Sequence, residues 1–278
     1  MQLPLIIVPV FNALEHVEPC LESIARSVPS DAQVLLIEDA STDKRVRPFL
    51  QSWVNKAKPY RRLLVHEQNM GFVATANQGM GLAETDIVLL NSDTEVTLGW
   101  LQCLAQCLAS DSSIATATPW SNNGEIVSLP DFCVSNPAPK NPHAIATAIS
   151  SCPGLHYPEI PTAVGFCMAI SLQAIKLIGL FDETTFGRGY GEENDFCLRA
   201  EQTGLRNVLC DDAYVVHHGS ASFGPLGMKP DEKSMQRLLS KHPDYQHKIN
   251  HFIQTDPLAP RRQELIDCLQ RKSVSFRA

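Results

Sequence analysis

The sequence predicts an α/β fold in which helices flank a mostly parallel central sheet. Short apolar runs that suit strands buried on both faces recur in the first half, as at residues 34–37 and 87–90. Between these runs, apolar residues recur at helical spacing. Strands that alternate with helices favour parallel pairing through right-handed crossovers.

The elements of the first half alternate regularly. Strands are predicted at residues 3–10, 34–37, 63–65 and 87–90. Three helices are predicted between these strands: the first starts near Ala13, the second contains Trp53 and the third contains Asn77. The apolar stripe of the first helix consists of Leu14, Val17, Leu21, Ile24 and Val28.

The second half is less regular. A helix near residues 98–108, strands at 114–118 and 163–170, and a short helix at 172–178 are predicted. Residues 130–161 are rich in proline and lack periodicity, which predicts a long excursion over the surface. A glycine-rich turn at 187–191 precedes a helix with Phe196, Leu198 and Arg199, a strand ends at 215–220, and a polar helical tail follows from about Leu226.

Composition limits the classes of protein. With 278 residues, 44% hydrophobic and 19% charged, the chain suits a globular protein with a full core. A net charge of -7 argues against nucleic-acid binding through a basic face. Nine cysteines without a CxxC pair predict neither a disulfide framework nor structural zinc and favour a reducing cytosol. No charged leader and no apolar run of about 18 residues is present, so we expect a cytoplasmic location.

The strand at residues 87–90 runs into Asn91, Ser92 and Asp93. In open α/β sheets, ligands bind at the carboxyl edge of the strands. Asp93 is therefore a candidate ligand for Mg²⁺ or Mn²⁺, which prefer oxygen ligands and share their shell with substrate phosphates. The alternative is that Asp93 caps a helix that follows Thr94.

Similar polar turns end the other strands. Asp39 could accept the imide N–H of uracil or thymine, or it could cap a helix. Asn69 and Gly71 could line a base or ribose, or form a turn. The chain has no GxGxxG after the first strand and no GxxxxGK[ST], which disfavours a dinucleotide fold and a P-loop.

Glu192, Glu193 and Asp195 follow the glycine-rich turn and open a helix, where the helix dipole stabilises carboxylates. One of them could instead act as a general base aimed at the cleft. Because Glu193 and Asp195 are two residues apart, they cannot share one helical face. His217 or His218 could add a metal ligand or be a polar strand end, and Trp120 could stack on a sugar or belong to the core.

The ordered set of motifs resembles the inverting family-2 glycosyltransferases, which have a GT-A fold with a Rossmann-like, mostly parallel sheet. The resemblance covers residues 3–224 and is greatest to the bacterial rhamnosyltransferase-like enzymes of surface polysaccharide synthesis, which the loop at 119–124 supports. The matching stretches are VPVFN at 8–12, EDASTD at 38–43, NMG at 69–71, NQG at 77–79, NSD at 91–93, GEENDFCLR at 191–199 and HHGS at 217–220.

The resemblance implies a role for each matching position. Glu193 would be the catalytic base, and Asp93 with His217 or His218 would bind Mn²⁺ or Mg²⁺. Nucleotide binding would involve Pro9, Val10, Asn12, Asp39, Asn69, Gly71, Asn77 and Ser92. Acceptor binding would involve Trp120, Asn123, Arg188, Gly189, Tyr190 and Glu192.

Three positions depart from the family pattern. Phe11 stands where tyrosine is common, Asn91 replaces the first acid of the DxD-type motif, and Glu193 replaces the usual aspartate. Fewer charges near Asp93 imply weaker metal binding. The extra methylene of Glu193 lengthens its reach by about 1.5 Å, roughly one C–C bond.

We therefore expect a metal-dependent inverting glycosyltransferase that moves a sugar from a UDP- or dTDP-linked donor to a glycan or lipid-linked acceptor. Residues 1–225 would form the transferase domain, divided at 95/96 into nucleotide and acceptor halves, and 226–278 a helical extension. The extension ends with the basic residues Arg261, Arg262, Arg271, Lys272 and Arg277. These residues could contact the inner face of a membrane, form a solvated helix face or dock a partner, and the chain could form an oligomer. The alternatives are a non-catalytic nucleotide- or sugar-binding module and a nucleotidyltransferase, which normally needs a basic loop after the first strand.

Overall fold

The structure is a computed structural model that describes residues 2–57, 60–219 and 232–276. Its strands are β1 (Leu5–Val10), β2 (Val34–Glu38), β3 (Arg61–Val65), β4 (Ile87–Leu90), β5 (Thr94–Val96), β6 (Ile114–Trp120), β7 (Cys167–Ile170) and β8 (Arg206–His217). Its helices are α1 (Leu14–Ser27), α2 (Val46–Asn55), α3 (Phe72–Gly81), α4 (Trp100–Ser110), α5 (Pro142–Ser150), α6 (Leu172–Ile178), α7 (Glu183–Phe186), α8 (Glu192–Gln202), α9 (Glu232–Lys241), α10 (Tyr245–Thr255) and α11 (Ala259–Arg271), with a short 3₁₀ turn at Glu125–Val127.

The strands form one eight-stranded sheet in the order β3-β2-β1-β4-β7-β6-β8-β5. Strands β1 to β4 pair in parallel, as predicted. In the second half, β7 runs antiparallel to both β4 and β6, and β5 runs antiparallel to β8. The prediction of a mostly parallel α/β sheet is confirmed, and the reversed strands lie in the second half of the chain.

Apolar residues cover both faces of the central strands. Ile6 and Val8 of β1 belong to one hydrophobic cluster, and Leu5 and Ile7 belong to the other. Helix α3 packs closely on β1 at Gly79. A Cβ added to this glycine would lie 2.6 Å from Cγ2 of Ile7, which is too close for a real contact. A side chain at position 79 would therefore push α3 off the sheet.

Two local predictions were wrong. Residues 130–161 contain helix α5, whose Ile145 and Ile149 are fully buried. Asn141 caps this helix through the N–H of Ala144, a polar start followed by Pro142 in the first turn. Thr94 begins strand β5 and no helix starts there, so Asp93 is not a helix cap.

The C-terminal helix α11 is fixed to the body of the protein. Cys152, after α5, forms a disulfide with Cys268 of α11, which corrects the expectation of free thiols at these two positions. The side chain of Arg261 is buried against Asp211, with Nε 2.6 Å from Oδ2. Arg262 is also buried and is paired with Asp256.

These contacts change the interpretation of the basic tail. Arg261 and Arg262 cannot both be buried in ion pairs and offer charge to a membrane, so those two residues are removed from the predicted membrane contact. Within the described ranges, no helix has the length and apolar character to cross a bilayer. The predicted boundary at 225/226 and the starting point Leu226 lie outside the described residues, as do Ser220 and Arg277.

Candidate active site

Asp93 and His217 meet at one edge of the sheet. Asp93 follows β4 and is 4% exposed. His217 ends β8, where it is paired with Thr94 of the antiparallel strand β5. This register places Nε2 of His217 3.6 Å from Oδ1 of Asp93.

A polar loop holds the imidazole of His217 in place. Nδ1–H donates to the carbonyl oxygen of Asn123 at 2.7 Å. Because a carbonyl only accepts, the neutral ring keeps its lone pair on Nε2, the atom nearer to Asp93. The side chain of Asn122 accepts from the backbone N–H of His217 and donates to its carbonyl, and Phe166 stacks on the ring at 5.2 Å.

Asp93 and His217 fit a divalent cation. A carboxylate oxygen and an imidazole nitrogen are ligands of Mn²⁺, and a backbone carbonyl on the far ring nitrogen is a common feature of metal-binding histidines. Two ligands that each lie about 2.1 Å from one ion are at most about 4.2 Å apart, so a separation of 3.6 Å is compatible. The described residues hold no cluster of three or more such ligands, so a bound diphosphate would have to complete the shell.

His218 points elsewhere. Successive residues of a strand face opposite sides of the sheet. Nε2 of His218 lies 2.8 Å from Oε1 of Glu95, while His217 faces Asp93. Of the two histidines, only His217 faces Asp93, which favours it as the candidate metal ligand over His218.

Glu192 and Glu193 lie in the first turn of α8, after Gly191 at φ 102°. Burial raises the pKa of the Glu192 carboxyl well above its usual value, and the nearby charge of Glu193 adds to this effect. Burial also raises the pKa of Glu193, and the charge of Glu125 raises it further. In the described part of the chain, Oε2 of Glu193 is buried and has no hydrogen-bond partner.

Glu125 is a site residue that the sequence analysis missed. It begins the 3₁₀ turn at a positive φ of 51°, an uncommon conformation for a glutamate. Glu125 is an exposed residue, yet neighbouring atoms desolvate its carboxyl enough to raise the pKa, and the nearby His217 opposes the shift. The charge of Glu125 in turn raises the pKa of Glu193. Glu125 therefore lies within electrostatic reach of both His217 and Glu193. The only local sequence signal near Glu125 was the polar pair Asn123 and Gly124, which indicates a turn and not a functional residue.

The carboxylate of Asp39 is hydrogen-bonded to other residues of the protein. Its carboxylate accepts from Nδ1 of His66, from the N–H groups of Met70 and Gly71, and from Nδ2 of Asn69, at 2.7–3.0 Å. Four donors fill the acceptor positions of a carboxylate. These bonds show that Asp39 shapes the turn before α3, and its contact with a nucleobase stays a prediction. Asp39 does not cap α2, because that helix begins at Val46.

Two other predicted nucleotide-binding residues, Asn12 and Asn77, connect neighbouring segments of the protein. Asn12 is at φ 57°, and its Oδ1 accepts from the N–H groups of Thr42 and Asp43, so it ties the turn after β1 to the turn after β2. Asn77 bonds both backbone groups of Phe181 and so links α3 to the segment before α7.

The remaining three predicted nucleotide residues are in or beside the sheet. Pro9 and Val10 are part of β1, and Val10 is buried. Ser92 is buried next to Asp93. Their positions at the carboxyl ends of β1 and β4 agree with the predicted edge, and their contact with a nucleotide stays a prediction.

The glycine-rich turn at 187–191 packs against the turn at 69–71. Nη1 of Arg188 donates to Oδ1 of Asn69 at 2.6 Å. A Cβ on Gly71 would lie 3.0 Å from Cγ of Arg188, so the two turns are in close contact. Gly189 and Tyr190 both have positive φ, which turns the chain back towards α8.

Trp120 corrects another prediction. Its side chain is fully buried in the main hydrophobic cluster, and the guanidinium of Arg262 lies 5.7 Å from the ring. A buried indole has no open face for a sugar, so the interpretation of Trp120 as core is confirmed and its predicted acceptor contact is wrong. Asn123 and Glu192, two other predicted acceptor residues, do lie beside His217 and Glu193.

The sheet order, the flanking helices and the acidic edge define the class of protein: the fold is GT-A, and it is shared with solved glycosyltransferases. GalNAc-T7, solved with UDP, GalNAc and Mn²⁺, aligns at TM-score 0.64 and 16% identity over 86% of this chain, which spans about half (48%) of that protein. TarS 1–349 of S. aureus aligns at TM-score 0.57 and 16% identity, over 96% of this chain and 79% of that one. The mannosyltransferase PcManGT of Pyrobaculum calidifontis, solved with GDP-Man and Mn²⁺, aligns at 0.58 and 15% identity, over 97% and 74%.

Sequence comparison then gives the family. The model described as Glycosyl transferase family 2 matches residues 5–175, and the chain belongs to this family of glycosyltransferases. Among curated proteins, the uncharacterized protein Rv1525 of Mycobacterium tuberculosis is 24% identical over 220 residues, which cover 77% of this chain and 74% of the relative. The protein Mb1552 of Mycobacterium bovis matches to the same extent.

Proposed function

We propose that the protein is a metal-dependent, inverting glycosyltransferase that moves a sugar from a UDP- or dTDP-linked donor to a hydroxyl of a glycan or lipid-linked acceptor. The observation that carries this proposal is the pairing of Asp93 with the oriented imidazole of His217 at the carboxyl edge of the sheet. Solved relatives of the same fold were obtained with Mn²⁺ and nucleotides or nucleotide sugars, which supports a donor of this class.

The chain supplies binding groups for the donor and a base for the acceptor. Asp93 and His217 would hold the cation and, with it, the donor diphosphate. A bound Mn²⁺ or Mg²⁺ acts as a Lewis acid that neutralises charge on a departing diphosphate. The Asn69–Gly71 turn, held by Asp39 and by Arg188, would line the nucleoside side.

Glu193 would take the proton of the acceptor hydroxyl as its oxygen bonds to the anomeric carbon from the face opposite the diphosphate. The bond between that carbon and the diphosphate oxygen breaks in the same step, so the anomeric configuration inverts. Burial raises the pKa of Glu193, which brings the carboxylate closer to the range in which general bases are effective. Alignment of acceptor and donor would contribute much of the remaining acceleration.

Two rival functions make different use of the same edge. A nucleotidyltransferase needs cationic groups near the triphosphate, but the turn after β1, residues 11–13, contains neither lysine nor arginine. A non-catalytic sugar- or nucleotide-binding module needs no base, so the buried Oε2 of Glu193 without a hydrogen-bond partner among the described residues favours an enzyme. Hexosyl or rhamnosyl transfer in surface polysaccharide synthesis, in the cytoplasm or at the inner face of the membrane, is the proposed setting.

Calorimetric titration with UDP and with dTDP, each with and without Mn²⁺, tests the donor site. We expect binding that strengthens with the ion in the wild type and loses that dependence in Asp93→Ala. The difference between the two nucleotides narrows the donors to be screened. If neither diphosphate binds under any condition, the donor site as proposed is wrong.

A further inference from the structure

The C-terminal region contacts the helix that carries Glu193. Three side chains at the junction of α9 and α10, those of Lys241, His242 and Tyr245, reach the first turn of α8. They bind the two residues at positions 194 and 195, directly beyond Glu193. This contact is separate from the donor site and from the disulfide of α11.

The first anchor is Asp195, whose side chain is fully buried. Its Oδ1 accepts from Nζ of Lys241 at 2.7 Å and from Nε2 of His242 at 2.9 Å. Its Oδ2 accepts from Nε of Arg199, within α8 itself, at 2.7 Å. Burial alone raises the pKa of Asp195, but these three donors outweigh it and hold the pKa below its usual value. A buried carboxylate is stable only with such partners, so α8 depends on the tail for two of its three.

The second anchor is Asn194. Its Oδ1 accepts from the hydroxyl of Tyr245 at 2.8 Å and from Oγ1 of Thr162 at 2.9 Å. The phenol of Tyr245 is mostly buried, and its pKa is raised first by burial and then by the charge of Glu193. Tyr245 thus lies within electrostatic reach of the candidate base but bonds to the residue beside it.

The two anchors restrict the orientation of Glu193. Consecutive helical residues are about 100° apart around the axis, so fixing Asn194 and Asp195 on two sides of α8 sets the direction in which Glu193 points. Oε2 of Glu193 has no hydrogen-bond partner among the described residues, and the side chain interacts with Glu192 of the same helix, so its position depends on α8. A misplacement of about 1 Å can reduce a rate by about a hundredfold.

We propose that Tyr245 and His242 are positioning residues that hold the first turn of α8 and thereby aim Glu193 at the acceptor hydroxyl. This inference rests on the proposed function of Glu193. It makes residues 232–245 a working part of the transferase, in contrast to a helical extension that only adds to the fold.

The test uses Tyr245→Phe in the full chain, which removes one hydroxyl and keeps the ring. Tyr60→Phe, at an exposed position, is the matched control. We expect kcat to fall by about tenfold or more with Tyr245→Phe, with the KM for donor and the affinity for UDP unchanged. A merely structural role would lower the melting temperature and leave kcat as it is.

Amide hydrogen exchange gives a second reading that does not need an active enzyme. Peptides covering residues 192–196 should exchange faster in Tyr245→Phe than in the wild type or in Tyr60→Phe. Unchanged exchange there, or faster exchange with unchanged kcat in an active enzyme, overturns the proposal. If the wild type transfers no sugar from any donor, the proposed function fails, and the exchange result still decides whether the tail orders this turn.

His242 provides an independent variant. His242→Gln keeps a donor for Asp195, and His242→Leu removes it. We expect near wild-type kcat in the first and a loss similar to that of Tyr245→Phe in the second. Equal activity in all three proteins would contradict the role of His242.

Discussion

Asn123 accepts the Nδ1 proton of His217 at 2.7 Å, and this one hydrogen bond decides which ring nitrogen faces Asp93. The two histidines at the end of β8 are adjacent in sequence and opposite in direction. The consequences of this difference can be measured.

His217→Ala should weaken the Mn²⁺-dependent binding of UDP by at least about tenfold, because one of two protein ligands is lost. His218→Ala, whose imidazole is paired with Glu95, should leave that binding unchanged. Titration of UDP at fixed Mn²⁺ compares the two variants directly. Equal losses in both would contradict the assignment of the metal to His217.

Glu193→Gln should reduce transfer by about 10²–10⁴-fold and leave UDP binding intact, because an amide cannot accept the acceptor proton. Steady-state transfer and calorimetry on the same preparation separate the two effects. Turnover equal to that of the wild type would show that another group is the base.

The pH dependence of transfer should report Glu125. Glu193 acts as a base only when ionised, so the rate falls as the pH drops through its raised pKa. Burial raises this pKa most, and the charge of Glu125 raises it further, so Glu125→Gln should move the acid limb of the kcat profile to lower pH. An unmoved or raised acid limb would exclude electrostatic coupling between Glu125 and the base.

His66 should make stability depend on pH. Burial lowers the pKa of His66, but hydrogen bonds with Asp39 and Gln78 outweigh it, so the folded-state pKa is raised. The stabilisation is complete below the unfolded pKa of about 6.5 and is lost as the pH rises through the higher folded value. Urea unfolding across this window should show a steeper decrease for the wild type than for His66→Gln. His247→Gln, at an exposed position, should behave like the wild type.

The disulfide between Cys152 and Cys268 should contribute about 2–5 kcal/mol to the free energy of unfolding. Urea unfolding of the Cys152→Ser/Cys268→Ser protein measures the loss. Cys133→Ser, which removes an exposed free thiol, is the control and should change little. If the double variant is as stable as the control, the bridge does not form in solution.

The sequence was informative where local pattern decides structure. The apolar runs of β1, β2 and β4 are buried on both faces and could be recognised without tertiary information. Helix α5 was missed because proline-rich flanks hide a nine-residue helix of mainly alanine and isoleucine, although Asn141 followed by Pro142 was a start signal.

The site was harder to predict because it depends on register and on competition for hydrogen bonds. Nothing local distinguishes His217 from His218, since the β5–β8 register alone decides which one faces Asp93. The position of Asp39 after a strand suited contact with a nucleobase. In the structure, its carboxylate accepts hydrogen bonds from donors up to 32 residues away in sequence, which could not be foreseen locally. Glu125 had no visible motif.

The two proposed metal ligands are placed by the pairing of β5 with β8, strands that are far apart along the chain. While the protein is being made, Asp93 leaves the ribosome long before His217 exists. A chain in which β5 and β8 have not yet paired would not hold the two proposed ligands together. On the proposal that Asp93 and His217 bind the cation, we therefore expect the sheet to form before the ion is loaded.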